Sequence, residues 1–159
     1  RDVLITSVAA ILCAAPELTR TLARTHQFLT FTTPPNLQAA VAFGLETGEA
    51  WFEEMPSRLA ASRDRLTERL RREGFAVLPS DGTYFLNIDL PASGIDVPDR
   101  AFALRAVQEA GVASIPVSAF YEETPVTTIL RLCFSKADET LDEGVRRLAK
   151  ARELVRGDS

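Results

Sequence analysis

The 159-residue chain is predicted to be an α/β protein of the α+β kind, with helices packed on one face of a small sheet. Three observations carry this expectation. Beyond an arginine-rich helical stretch, short β-branched and aromatic runs alternate with amphipathic segments in the order helix–β–β–α–β–β–α. Glycine or proline stands at most of the junctions. No internal repeat interrupts the order.

The elements follow one by one. Val3-Leu4-Ile5 has the character of a buried strand, and Val8 to Ala15 resumes it. Pro16 suits a first helical turn, so Glu17 to Arg24 is predicted as a short helix. His26 to Thr33, closed by Pro34-Pro35, is predicted as an extended segment or loop. Asn36 to Glu73 is predicted as two helices, with Gly44 and Gly48 marking the end of the first. In the second, Phe52, Met55, Leu59, Leu66 and Leu70 keep the spacing of a buried stripe. Its arginines (Arg58, Arg63, Arg65, Arg69, Arg71, Arg72) have acidic neighbours and are expected to form a solvated face.

Gly74 ends that helix. Strands are predicted at Phe75 to Leu78 and Thr83 to Leu90, around the turn residues Pro79-Ser80-Asp81-Gly82. A loop at Pro91 to Asp96 leads to a helix at Pro98 to Ala110, stopped by Gly111. Val112 to Phe120 is predicted as a strand that Pro116 bends or confines to an edge. A strand at Ile129 to Ser135 and a helix at Glu139 to Val155 complete the chain.

Composition narrows the function. Lys+Arg number 18 against 22 Asp+Glu, a net charge of -4, which argues against a nucleic-acid partner. No apolar run reaches the ~18 residues a membrane span needs. Cys13 and Cys133 lie far apart without metal-ligand spacing, which points to a reducing compartment and a cytoplasmic location. His26 is the single histidine, so neither a metal site nor a catalytic triad finds support. Lys136 and Lys150 are the only lysines. Lys136 precedes Asp138 and Glu139, and Lys150 sits on a charged helix face, the opposite of what a nucleophilic amine requires.

Arg131 is the most informative residue. It sits mid-strand on the side of Ile129 and Cys133 and must find an anion there. Two readings stay open. The partner is an internal acid such as Asp89 or Glu139, or it is the carboxylate of a ligand gripped by the guanidinium fork. Gly82-Thr83-Tyr84-Phe85 is by itself a corner in which glycine supplies an unusual dihedral.

Five segments in order give a more specific signal. They are Thr25-His26-Gln27-Phe28-Leu29-Thr30-Phe31, Gln38-Ala39-Ala40-Val41-Ala42, Asp81-Gly82-Thr83-Tyr84-Phe85-Leu86, the run from Gly111 to Tyr121, and Leu130-Arg131-Leu132-Cys133-Phe134-Ser135-Lys136. Together they resemble the C-terminal part of the class I/II, fold-type-I aminotransferases that use pyridoxal phosphate, nearest to the kynurenine–oxoglutarate and methionine/glutamine branch. The resemblance implies that residues 1–50 are a remnant of a large cofactor-binding domain and 51–159 the C-terminal small domain. It implies that Arg131 clamps the substrate α-carboxylate, and that Phe31 and Thr32 belong to a dimer interface reaching the neighbouring subunit's substrate pocket.

The departures matter as much. The family's Schiff-base lysine belongs between Arg1–Ser7 and Leu12–Leu18, where only Val8-Ala9-Ala10-Ile11 stands. The expectation is therefore a chain without its catalytic loop and without most of the large domain. The implied whole is a homodimeric transaminase acting on amino acids and 2-oxo acids, with this fragment inactive and unable to bind pyridoxal phosphate alone. A non-catalytic, aminotransferase-like dimerisation or binding module is the other reading, and a free-standing domain with Arg131 in a structural pair is the third. A fragment predicts an apolar surface on residues 1–50, and a finished module a polar one.

Overall fold

A computed structural model of the chain describes residues 14–29 and 31–157. The strand expected at Val3-Leu4-Ile5 and the lysine-loop position at Val8 to Ile11 lie outside the described residues. Contacts divide the chain into two units, residues 1–54 and 55–159.

In the first unit, helix α1 runs Pro16–Leu29, five residues past the expected end at Arg24. The segment His26 to Leu29, predicted as extended, is thus helical. The aromatic and aliphatic residues that suggested an extended segment, His26, Phe28 and Leu29 among them, continue the helix instead. Thr21 Oγ1 donates to the Glu17 carbonyl (3.4 Å) and Thr25 Oγ1 to that of Thr21 (3.3 Å). Glu17 in the first turn and His26 in the last complement the helix dipole. Phe31, with a left-handed φ of 64°, closes the helix by donating its N–H to the His26 carbonyl. Helix α2 (Pro35–Thr47) starts with proline in its first turn and stops at Gly48. A Cβ on Gly48 would stand 2.5 Å from the Gly44 carbonyl oxygen, so this junction requires glycine. Gly44 itself is carried inside the helix rather than ending it.

Helix α3 (Glu49–Arg72) leads into the second unit. Leu66 and Leu70 are buried and Leu59 packs beside them, whereas Phe52, the first member of the expected stripe, is exposed. Gly74 ends the helix in the left-handed region, and the Phe75 N–H returns to the Leu70 carbonyl. Four antiparallel strands follow: β1 (Ala76–Val77), β2 (Phe85–Asp89), β3 (Ile115–Pro116) and β4 (Ile129–Cys133), in the spatial order β1-β2-β4-β3. Helix α4 (Asp99–Ala110) stands between β2 and β3 in the chain, and α5 (Asp138–Gly157) ends the described residues.

The pleat sorts the sheet into two faces. Leu86 and Ile88 of β2 and Leu132 and Leu130 opposite them on β4 are buried. They join Leu66 and Leu70 of α3, Phe102 and Ala106 of α4, and Leu141, Val145 and Leu148 of α5 in one core. Each large side chain so buried stabilises the fold by about 1.5–3 kcal/mol. The alternate residues, Phe85, Asn87 and Asp89 facing Cys133, Arg131 and Ile129, form a half-buried second face.

The expected strand Val112 to Phe120 is the main correction in this unit. Only Ile115–Pro116 pairs, at the sheet edge where proline's missing N–H is tolerated. The chain then turns into a 3₁₀ segment, Val117–Phe120, because the wholly buried Asp99 carboxylate captures Ser118. It accepts from both the Ser118 N–H and the Ser118 hydroxyl, each at 2.8 Å.

Candidate functional site

The half-buried face of the sheet centres on Arg131. Register places Asn87 of β2 directly opposite it on one side and Ile115 of β3 on the other. Neither internal acid considered for it is its partner. Asp89 Oδ1 instead accepts from the Ala92 N–H at 2.9 Å. Among the described residues, no carboxylate forms an ion pair with Arg131 and no group hydrogen-bonds to it, and its Nε is buried without a partner. A guanidinium cannot shed its charge, so this fork is available to an outside anion.

Two aromatic rings hold it. The guanidinium carbon lies 4.1 Å from the centroid of Phe85 and 4.4 Å from that of Phe120. Phe85 comes from β2, and Phe120 from the 3₁₀ segment that Asp99 fixes. Asn87 Oδ1, on the residue opposite Arg131, is also buried and unpartnered, as is Ser114 Oγ on the residue before Ile115. Residue reasoning alone missed Asn87 and Phe120. Phe120 was hidden in a strand predicted too long, and the pairing of Asn87 with Arg131 depends on a register that one sequence does not display.

At the corner before β2 the left-handed residue is Thr83, with φ 61°, and not Gly82, at which a Cβ would meet nothing within 4 Å. Ser80 Oγ ties the corner by donating to the carbonyls of Gly82 and Phe85.

The other sequence-derived candidates fall elsewhere. Phe31 and Thr32 are exposed in the first unit, where Thr32 Oγ1 accepts from Gln38 Nε2. Lys136 and Lys150 are exposed. Among the described residues, no group of His, Cys, Asp or Glu has metal-binding geometry. Most helix arginines have acidic partners, as expected of a solvated face. Arg65 bridges Asp138 and Asp142 at 2.7 Å each, and Arg69 meets Asp142 at 2.9 Å. A groove of about 600 Å³ lies between the end of β4 and α5, with Leu132, Cys133, Lys136, Glu139 and Glu143 among its lining. Its acid Glu143 is already engaged, because Arg147 and Arg146 hydrogen-bond to it and hold its carboxyl below the usual range.

Comparison with known proteins gives the chain a family. Residues 6–148 match the family described as aminotransferase class I and II. The chain belongs to the class I and II aminotransferases. N-succinyldiaminopimelate aminotransferase from Mycobacterium tuberculosis superposes with a TM-score of 0.78 at 38% identity, over 87% of this chain and 36% of that one. Methionine aminotransferase from Escherichia coli is 35% identical over 138 residues, 86% of this chain and 35% of its own length. LysN, the α-aminoadipate aminotransferase of Thermus thermophilus, solved with N-(5'-phosphopyridoxyl)-L-leucine, superposes with a TM-score of 0.78 at 25% identity, over 92% of this chain and 38% of that one. The fold is that of the fold-type-I aminotransferases, and the chain spans little more than a third of these relatives.

The family implies pyridoxal phosphate, and neither lysine of the sequence stands in the buried setting a Schiff-base amine needs. The only two lysines of the sequence are exposed, and the second face of the sheet offers one unpaired fork suited to a carboxylate.

Proposed function

We propose that this chain is the C-terminal portion of a longer pyridoxal-phosphate-dependent aminotransferase, which moves an amino group from an amino acid to a 2-oxo acid. In it, Arg131 binds the α-carboxylate common to both substrates. The unpaired guanidinium on the half-buried sheet face is the observation that carries this reading. Residues 1–50 are then part of a large domain and 51–159 the small domain. The cofactor and its lysine are assigned to protein outside the described residues. Phe31 and Thr32 are assigned to the substrate pocket of the neighbouring subunit in a homodimer, and the enzyme to the cytoplasm.

The chain's own contribution is binding and orientation. A carboxylate accepting two parallel N–H bonds from one guanidinium is fixed in position and in plane, which holds the adjacent Cα at a set distance from the reacting groups. The exposed apolar residues of the first unit, among them Phe28, Leu29, Phe31 and Phe43, support a portion of a larger molecule over a free-standing module.

Arg131→Lys in the full-length protein keeps the charge and removes the fork. The expected result is a rise in KM of about ten-fold or more for both the amino acid and the 2-oxo acid. Unchanged kinetics with both substrates would overturn the assignment.

A further inference from the structure

Arg131 is held without being neutralised, and three residues accomplish this. Resting on the reading of Arg131 as the carboxylate fork, we propose that Phe85, Phe120 and Asn87 are positioning residues that present its two terminal nitrogens, end-on, to the substrate. What each neighbour leaves free decides its role. An acidic partner would fix the guanidinium but consume the N–H groups that a substrate needs. An aromatic face attracts the cation through its quadrupole and takes none of them. Both ring contacts, at 4.1 and 4.4 Å, are of this second kind. Both rings lie close to the guanidinium carbon without using its N–H groups, which leaves those groups for an anion.

Asn87 selects which of these groups. Arg131 Nε is a buried donor without an acceptor, and Asn87 Oδ1 a buried acceptor without a donor. The two residues stand directly opposite each other across β2 and β4. One hydrogen bond, or one bridging water, satisfies both atoms at once, and buried polar atoms are rarely left otherwise. With Nε so engaged, the edge formed by the two terminal nitrogens is the one left for a carboxylate. Phe120 is held in turn by the buried Asp99–Ser118 hydrogen bonds, and Phe85 by the sheet ladder.

The test uses the full-length holoenzyme with Phe120→Leu, Asn87→Leu and Phe120→Tyr, each also placed in an Arg131→Lys background. Phe120 is 62% exposed, so its replacement leaves the core intact. Phe120→Leu and Asn87→Leu are expected to raise KM about three- to ten-fold for both substrates, with kcat within about two-fold of the parent. Phe120→Tyr keeps a ring face and retains the parental KM. In the Arg131→Lys background the Leu replacements change KM by less than about two-fold, since there is no fork left to position. Unchanged KM in both single Leu variants overturns the proposal while leaving the role of Arg131 standing. Equal increases in both backgrounds overturn it too, because the residues would then act without the fork. If Arg131→Lys alone leaves KM unaltered, the underlying reading fails and this proposal with it.

Discussion

An arginine in the middle of a short apolar strand is unfavourable for folding unless something answers its charge, and its surroundings tell what that something is. Arg131 has Phe85 and Phe120 against it and a buried, unpartnered Nε. Arg152, nearly buried and stacked on Phe75, also has an Nε without a hydrogen-bond partner, but it differs at its terminal nitrogens: Nη2 donates to the Glu73 carbonyl at 2.7 Å and so ties α5 to the end of α3. One arginine ties two helices together, and the guanidinium of the other has no hydrogen-bonding or ionic partner among the described residues. Asp99 is the matching case among the acids. Replacing it by Ala removes the acceptor for the Ser118 N–H and hydroxyl in a fully buried setting. Urea unfolding is expected to show a loss of about 2 kcal/mol, and no loss would contradict the placement of that network. Arg131 was legible in the sequence because strand periodicity alone puts it among apolar neighbours. Its fellow residues were not, since cross-strand register and a 3₁₀ turn set by a distant carboxylate are tertiary facts.

At the scale of elements, the junctions marked by Gly48, Gly74 and Gly111 were readable because each glycine stands where a helix must stop. The alternation of buried and half-buried residues in β2 and β4 was equally readable from the period of two. Two elements went astray for opposite reasons. Helix α1 outran its expected end because His26 to Leu29 contains no glycine or proline to stop it. Strand β3 fell short because Asp99 offered Ser118 better hydrogen bonds than an edge strand could. The α3–α5 contact is electrostatic at its rim, where Arg65 and Arg69 share Asp142. Asp142→Ala is expected to cost about 0.5–1 kcal/mol, with the difference shrinking at high salt, since these side chains are partly solvated. A salt-independent loss in urea unfolding would contradict an ionic origin.

For the whole molecule, the two units differ in how they treat apolar surface. The second encloses its large side chains in one core, while no described residue of the first is buried. In that first unit Phe28, Leu29, Phe31 and Phe43 are all more than two-thirds exposed. Exposed apolar surface of this extent marks an interaction site. The 159-residue chain on its own is expected to bind a hydrophobic dye, and Phe28→Ser with Phe31→Ser to reduce the signal. A wild-type chain that binds none would count against the partner surface. Membership of the class I and II aminotransferases gives that surface a natural context, since the chain spans little more than a third of its relatives.

The carboxylate fork is the claim on which the functional account turns, and a binding measurement reaches it without relying on turnover. The dissociation constants of an unreactive substrate-analogue acid and of its methyl ester are to be compared for the full-length protein and its Arg131→Lys variant. The account predicts that the wild-type protein prefers the acid by about ten-fold or more and that the variant loses most of this preference. An equal preference in both proteins would show that the carboxylate is read elsewhere.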